Sequence, residues 1–145
     1  MGRFSLSIST IAALVFSGLA WSSAQAEEYP ACTIRGTSAS ETLTGTSGDD
    51  VICNGGGDDT IDGLAGNDII VVEGPGVLVI DGGLGNDTID ASKGTSSTIT
   101  DSQGINTILG TEGVDVIYGG AVETKVESFA GNDLIYGGSG VDRVK

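Results

Sequence analysis

Between residues 36 and 145 an aliphatic side chain returns every nine positions. Cutting at Gly36 gives GTSASETLT, GTSGDDVIC, NGGGDDTID and GLAGNDIIV in unbroken tandem. One extra residue, Val72, precedes EGPGVLVID (73–81), and a second, Ala91, follows GGLGNDTID (82–90). The frame then runs through SKGTSSTIT, DSQGINTIL, GTEGVDVIY, GGAVETKVE, SFAGNDLIY and GGSGVDRVK to residue 145. Position eight reads Leu43, Ile52, Ile61, Ile70, Ile80, Ile89, Ile99, Ile108, Ile117, Val126, Ile135 and Val144. All twelve are aliphatic.

The unit divides into two parts. Six residues rich in Gly, Asn and Asp favour a turn whose backbone visits positive φ. Positions seven to nine, rich in Thr, Ile and Val, suit a short strand with the eighth side chain on one face and its neighbours on the other. No single nonapeptide buries its one aliphatic residue, so the units must stack, and stacking into two facing sheets buries all twelve in a narrow core. The expected class is an all-β solenoid.

Composition adds the chemistry. Twenty acidic residues against six basic ones give a net charge of −14, and there is no histidine. The missing histidine removes the commonest general base, the Ser-His and Cys-His dyads, and the usual zinc ligand sets. Nucleic acid and anionic membrane surfaces repel such a chain, so its natural partners are cations. Gly-rich runs such as Gly110–Gly113 lack the lysine and following helix of a phosphate loop.

The N-terminus reads as an export signal. Arg3, a short apolar stretch from Leu6 to Trp21, and Ala24-Gln25-Ala26 predict a signal peptide over 1–26, cut after Ala26. Cleavage removes Arg3 and leaves a charge of −15. A lead-in, 27–35, then precedes the repeats. Cys32 and Cys53 lie in the secreted part, where two cysteines in a small domain favour one disulfide that pins the lead-in to the first coil.

The unit G-G-x-G-x-D-x-U-x, matched at every fixed position by 82–90 and 137–145, is that of RTX proteins. Over about three quarters of its length the chain resembles this haemolysin-type calcium-binding repeat family. The resemblance implies a right-handed parallel β-roll of about twelve nonapeptide repeats, two to a coil, with Ca2+ between coils. Strands lie ~4.7–4.9 Å apart, and calcium with oxygens at ~2.3–2.6 Å on either side spans much the same gap. Position-six carboxylates of successive coils can therefore share an ion.

With two repeats to a coil, as the resemblance implies, residues 18 apart in frame stack, which sorts position six into two edges. One carries Glu41, Asp59, Leu78, Ser97, Asp115 and Asp133, the other Asp50, Asp68, Asp87, Asn106, Thr124 and Asp142. Asp50/Asp68, Asp68/Asp87 and Asp115/Asp133 are the candidate sites, with Asp59 beside Glu41 and Asp87 beside Asn106 as weaker ones. Carbonyls of the turn glycines, Gly55, Gly57, Gly66, Gly83, Gly85, Gly113 and Gly131, complete the coordination as the family implies. Three to five ions are expected, clustered towards the ends, with a metal-poor stretch near 73–109. The alternative is a metal-free solenoid in which the acids only cap turns, but asparagine would do that without repulsion.

Function then divides into a calcium-folded structural or interaction module without catalysis and a calcium-dependent adhesin that binds a polysaccharide. Tyr118 and Tyr136, 18 apart at position nine, form an outward-facing stacked pair and supply the one hint of the second. Little chain remains for the catalytic domain that often accompanies such repeats.

Overall fold

The computed structural model describes residues 29–145, and the expected signal segment 1–26 lies outside the described residues. No helix interrupts the strands among the described residues. Odd-numbered strands β1 (Ile34–Arg35), β3 (Val51–Cys53), β5 (Ile69–Val71), β7 (Thr88–Asp90), β9 (Ile105–Leu109), β11 (Glu123–Glu127) and β13 (Arg143–Val144) form one sheet in that order. Even-numbered strands β2 (Thr42–Thr44), β4 (Thr60–Asp62), β6 (Val77–Asp81), β8 (Ser96–Thr100), β10 (Asp115–Tyr118) and β12 (Leu134–Tyr136) form the other. Every pairing within each sheet is parallel, so the chain alternates between two facing sheets as a β-solenoid of about six turns.

Position eight makes the core. Ile52, Ile61, Ile70, Ile80, Ile89, Ile99, Ile108 and Ile117 are at most 1% exposed, and the register pairs each with the residue one coil away. The expectation that all twelve rungs are buried fails towards the ends, where Leu43 and Ile135 are only partly buried. Val144 is 54% exposed, and among the described residues no coil stacks on it from the far side.

The lead-in holds more order than its sequence suggested. Residues 27–35 (EEYPACTIR) are themselves nine residues in frame, and Ile34 pairs with Ile52 as a further position-eight rung. The described residues therefore show thirteen strands where the repeat count gave twelve. Cys32 and Cys53 form a disulfide with Cα atoms 5.9 Å apart. Cys53 points outward by strand alternation yet is only 2% exposed, beneath the lead-in that the bridge holds down. Tyr29 extends that strap, its hydroxyl donating to Asp90 Oδ2 at 2.9 Å.

The two single-residue insertions are absorbed at position one. Val72 N–H donates to Asp90 O and Ala91 N–H to Leu109 O, the bonds that position-one residues make in other coils. Both side chains turn into the core.

Four strands run to five residues: Val77–Asp81, Ser96–Thr100, Ile105–Leu109 and Glu123–Glu127. Each belongs to a repeat whose positions five and six depart from Asn/Asp followed by Asp. Val-Leu, Ser-Ser, Ile-Asn and Glu-Thr pair more readily than they turn, so the strand starts two residues earlier.

Candidate metal centres along the two turn edges

The position-six side chains stack as the frame requires, joined by one recurring bond. Oδ1 of each acid accepts the backbone N–H of position six one coil earlier: Asp50 to Asp68, Asp68 to Asp87, Glu41 to Asp59 and Asp115 to Asp133, at 2.8–3.0 Å. Asn106 continues the ladder by accepting from Asp87 N–H at 2.8 Å. At the N-terminal end Thr33 stands in, its hydroxyl 3.2 Å from Asp50 Oδ1.

The other oxygen separates two kinds of turn. In the Gly-Thr repeats it is satisfied from within. Thr46 N–H and hydroxyl donate to Asp50 Oδ2 at 2.7 and 2.9 Å, Thr111 N–H donates to Asp115 Oδ2 at 2.7 Å, and Thr37 N–H donates to Glu41 Oε2 at 2.6 Å. The Thr46 N–H, outweighing the cost of burial and helped by the Thr46 and Thr33 hydroxyls, holds Asp50 below the usual carboxylate range.

In 63–71 and 82–90 the preceding residue is an aspartate at position nine, and it takes the position-two N–H instead. Leu64 N–H donates to Asp62 Oδ1 at 3.0 Å, and Gly83 N–H to Asp81 Oδ1 at 3.1 Å. Position two becomes left-handed there, at φ 71° for Leu64 and 94° for Gly83. Asp68 Oδ2 and Asp87 Oδ2 are left buried with no partner, and Asp101 Oδ2 on the same edge is the third such atom.

Burial first, then neighbouring carboxylates, drives these acids towards protonation. Asp68 is raised by burial and by Asp50 and Asp49. Burial lifts Asp87 to about 6, with Asp68, Asp81 and Asp49 adding repulsion. Asp81 is raised by burial and by Asp62, its cross-strand partner. Asp101 goes highest, to about 8, through burial and then Asp87 and Asp81. Buried carboxylates that lack donors and repel one another are stabilised by a cation between them.

Space for that cation follows the position-one glycines. A Cβ on Gly63 would stand 2.7 Å from Asp68 Oδ2 and against the carbonyl of Gly82, one coil on. The carboxylate, the next coil's carbonyl and the bare Cα thus face one small volume. Oxygen donors of this kind suit Ca2+.

Of the expected glycines, Gly55, Gly57, Gly66, Gly83, Gly85 and Gly131 all have positive φ, as turn geometry at those positions requires. Gly113 does not. It follows Thr111, whose hydroxyl accepts the Gly113 N–H at 3.0 Å.

The two edges differ in the middle of the molecule. On the edge of Asp59 and Asp115, hydrocarbon fills the gap: Leu78, Val72 and Ala91 are buried there, and Ser97 hydroxyl donates to Asp115 Oδ1 at 2.7 Å. Asp59 keeps its own donor, Asn54 Nδ2 at 2.8 Å from Oδ2. On the opposite edge acids continue through the stretch expected to be metal-poor, because Asp101 supplies a carboxylate that the position-six pattern did not include. A carboxylate in place of glycine at position one was the sequence signal for it. Tyr118 and Tyr136 stack with centroids 5.0 Å apart and planes 3° from parallel. Their faces cover each other.

A two-sheet parallel solenoid with carboxylate-lined turn edges defines a repeat-built cation-binding fold. Residues 35–70, 79–97, 98–121 and 129–144 match the RTX calcium-binding nonapeptide repeat, and the chain belongs to that family. No curated protein and no solved structure gives a match.

Proposed function

We propose that the chain is a secreted calcium-binding module that folds when calcium binds and then serves as a structural or interaction element without catalysis. One observation carries this reading. Asp68, Asp87 and Asp101 each leave a buried carboxylate oxygen unpartnered on one edge of a family-assigned repeat. Asp133 and the turn carbonyls add further donors, whereas Asp50, Asp59 and Asp115 already accept protein donors on both oxygens and would reach an ion only by sharing them.

A core one side chain wide and a net charge of −14 leave little to offset chain entropy without the ions. Ion binding would then be folding free energy. Extracellular calcium modules bind at roughly 10⁻⁴–10⁻³ M, so such a chain stays unfolded in calcium-poor cytosol and folds after export. The Cys32–Cys53 disulfide agrees with an oxidising destination.

Circular dichroism of the chain lacking residues 1–26 tests the proposal. A β spectrum in millimolar calcium and a disordered one in chelator are expected. The same β spectrum in both refutes it.

A further inference from the structure

The edge that bears Asp50, Asp68 and Asp87 meets Asn106 where the next acid would stand, and the charge missing there returns five residues earlier. Asp101 takes position one of 101–109, where the repeat calls for glycine, and it is 2% exposed. Its side chain points back towards the coil of Gly82. A Cβ built on Gly82 would lie 2.8 Å from Asp101 Oδ2 and 3.1 Å from Asp87 Oδ2, so both orphaned oxygens face one point.

Asn106 organises the pair. Its Nδ2 donates to Asp101 Oδ1 at 2.6 Å, while its Oδ1 accepts Asp87 N–H at 2.8 Å. One oxygen of Asp101 is thereby fixed and the other released towards Asp87. Two acids aimed at one volume from successive coils, with no protein donor for either oxygen, require a cation or a proton.

We infer that Asp87 and Asp101 together hold a calcium ion at Gly82, in a site built on a position-one carboxylate in place of the position-six one. The inference rests on the calcium reading above and extends it. Asp101 and Asn106 have exchanged the charged and the positioning roles, and the ion column of this edge continues one coil further than its position-six acids.

Calcium stoichiometry by equilibrium dialysis, compared between wild type and Asp101→Asn, separates the two claims. Asp101→Asn is expected to bind one ion fewer than wild type, and the double variant Asp101→Gly/Asn106→Asp, which restores the usual arrangement, to regain it. Equal counts in wild type and Asp101→Asn overturn this inference alone. A wild-type chain that takes up no calcium overturns the parent reading.

Should Asp101→Asn fail to fold, carboxyl-carbon NMR of the wild type decides. The Asp87 and Asp101 resonances are both expected to shift on saturation with calcium, and an unmoved Asp101 resonance overturns the site.

Discussion

The position-six carboxylate and an aspartate at the preceding position nine compete for the backbone N–H of position two. Thr46 keeps that donor on its own Asp50, whereas Asp62 draws the Leu64 N–H away from Asp68. The first turn closes on itself and the second leaves an oxygen for an ion. Asp68→Asn is therefore expected to remove at least one bound calcium and to raise the calcium concentration for half-folding about tenfold or more, since losing a ligand charge exceeds ~1.4 kcal/mol. Thr46→Val, which removes the hydroxyl bond to Asp50 Oδ2 and the hydroxyl's bonds with Gly48 but keeps the Thr46 N–H bond, is expected to leave the ion count intact. It moves the midpoint by a few-fold, the worth of ~0.5–1.5 kcal/mol. Calcium titrations followed by circular dichroism and by dialysis check both. Equal ion counts in wild type and Asp68→Asn contradict the division of turns.

At the level of elements, the two turn edges solve one spacing problem with different materials. Around Leu78 the gap between coils holds hydrocarbon, and a Cβ on Gly94 would meet Leu78 Cδ1 at 2.8 Å. Leu78→Ala opens a cavity there, at a cost of about 2–5 kcal/mol. The expected result is a higher calcium midpoint with an unchanged number of ions, and a lost ion would show that the edge is not an apolar plug. Much of this was legible in the sequence. The position-eight ladder gave the strands, their register and both edges, because a nine-residue period with one buried side chain leaves little freedom. Three features were not. Ile34 lay outside the frame cut at Gly36, although its register with Ile52 extends it. Val72 and Ala91 looked like spacers, but each occupies position one and packs inward. Asp101 stood at a glycine position, so a motif read at position six passed over it. In each case the deciding contact is one coil away, where spacing fixes the neighbour but not which way its side chain turns.

Over the whole molecule, charge and fold oppose each other until cations arrive. Among the described residues Arg35 pairs with Glu73 and Arg143 with Glu123, leaving the acids of the turn edges to one another. An acid whose folded pKa is raised binds more protons folded than unfolded, so the calcium-free fold loses stability as pH rises from about 4 through the folded value. Asp87 at about 6 and Asp101 at about 8 place that loss between pH 4 and 8, with Asp68 and Asp81 shifted in the same direction. Asp50 behaves oppositely. Its folded pKa is depressed, so its contribution is lost only as pH falls below the ordinary carboxylate value, outside that window. Calcium must displace the protons that the raised acids retain. Protons and calcium thus stabilise the same fold, and the half-folding calcium concentration is expected to rise from pH 5.5 to 8 as the protons leave, while in chelator acidification towards pH 5 brings back part of the β signal. Dichroism across a grid of pH and free calcium measures both slopes. A midpoint independent of pH over that range would mean that the buried acids carry no protons to exchange, and that their shared edge is not where folding and ion binding are coupled.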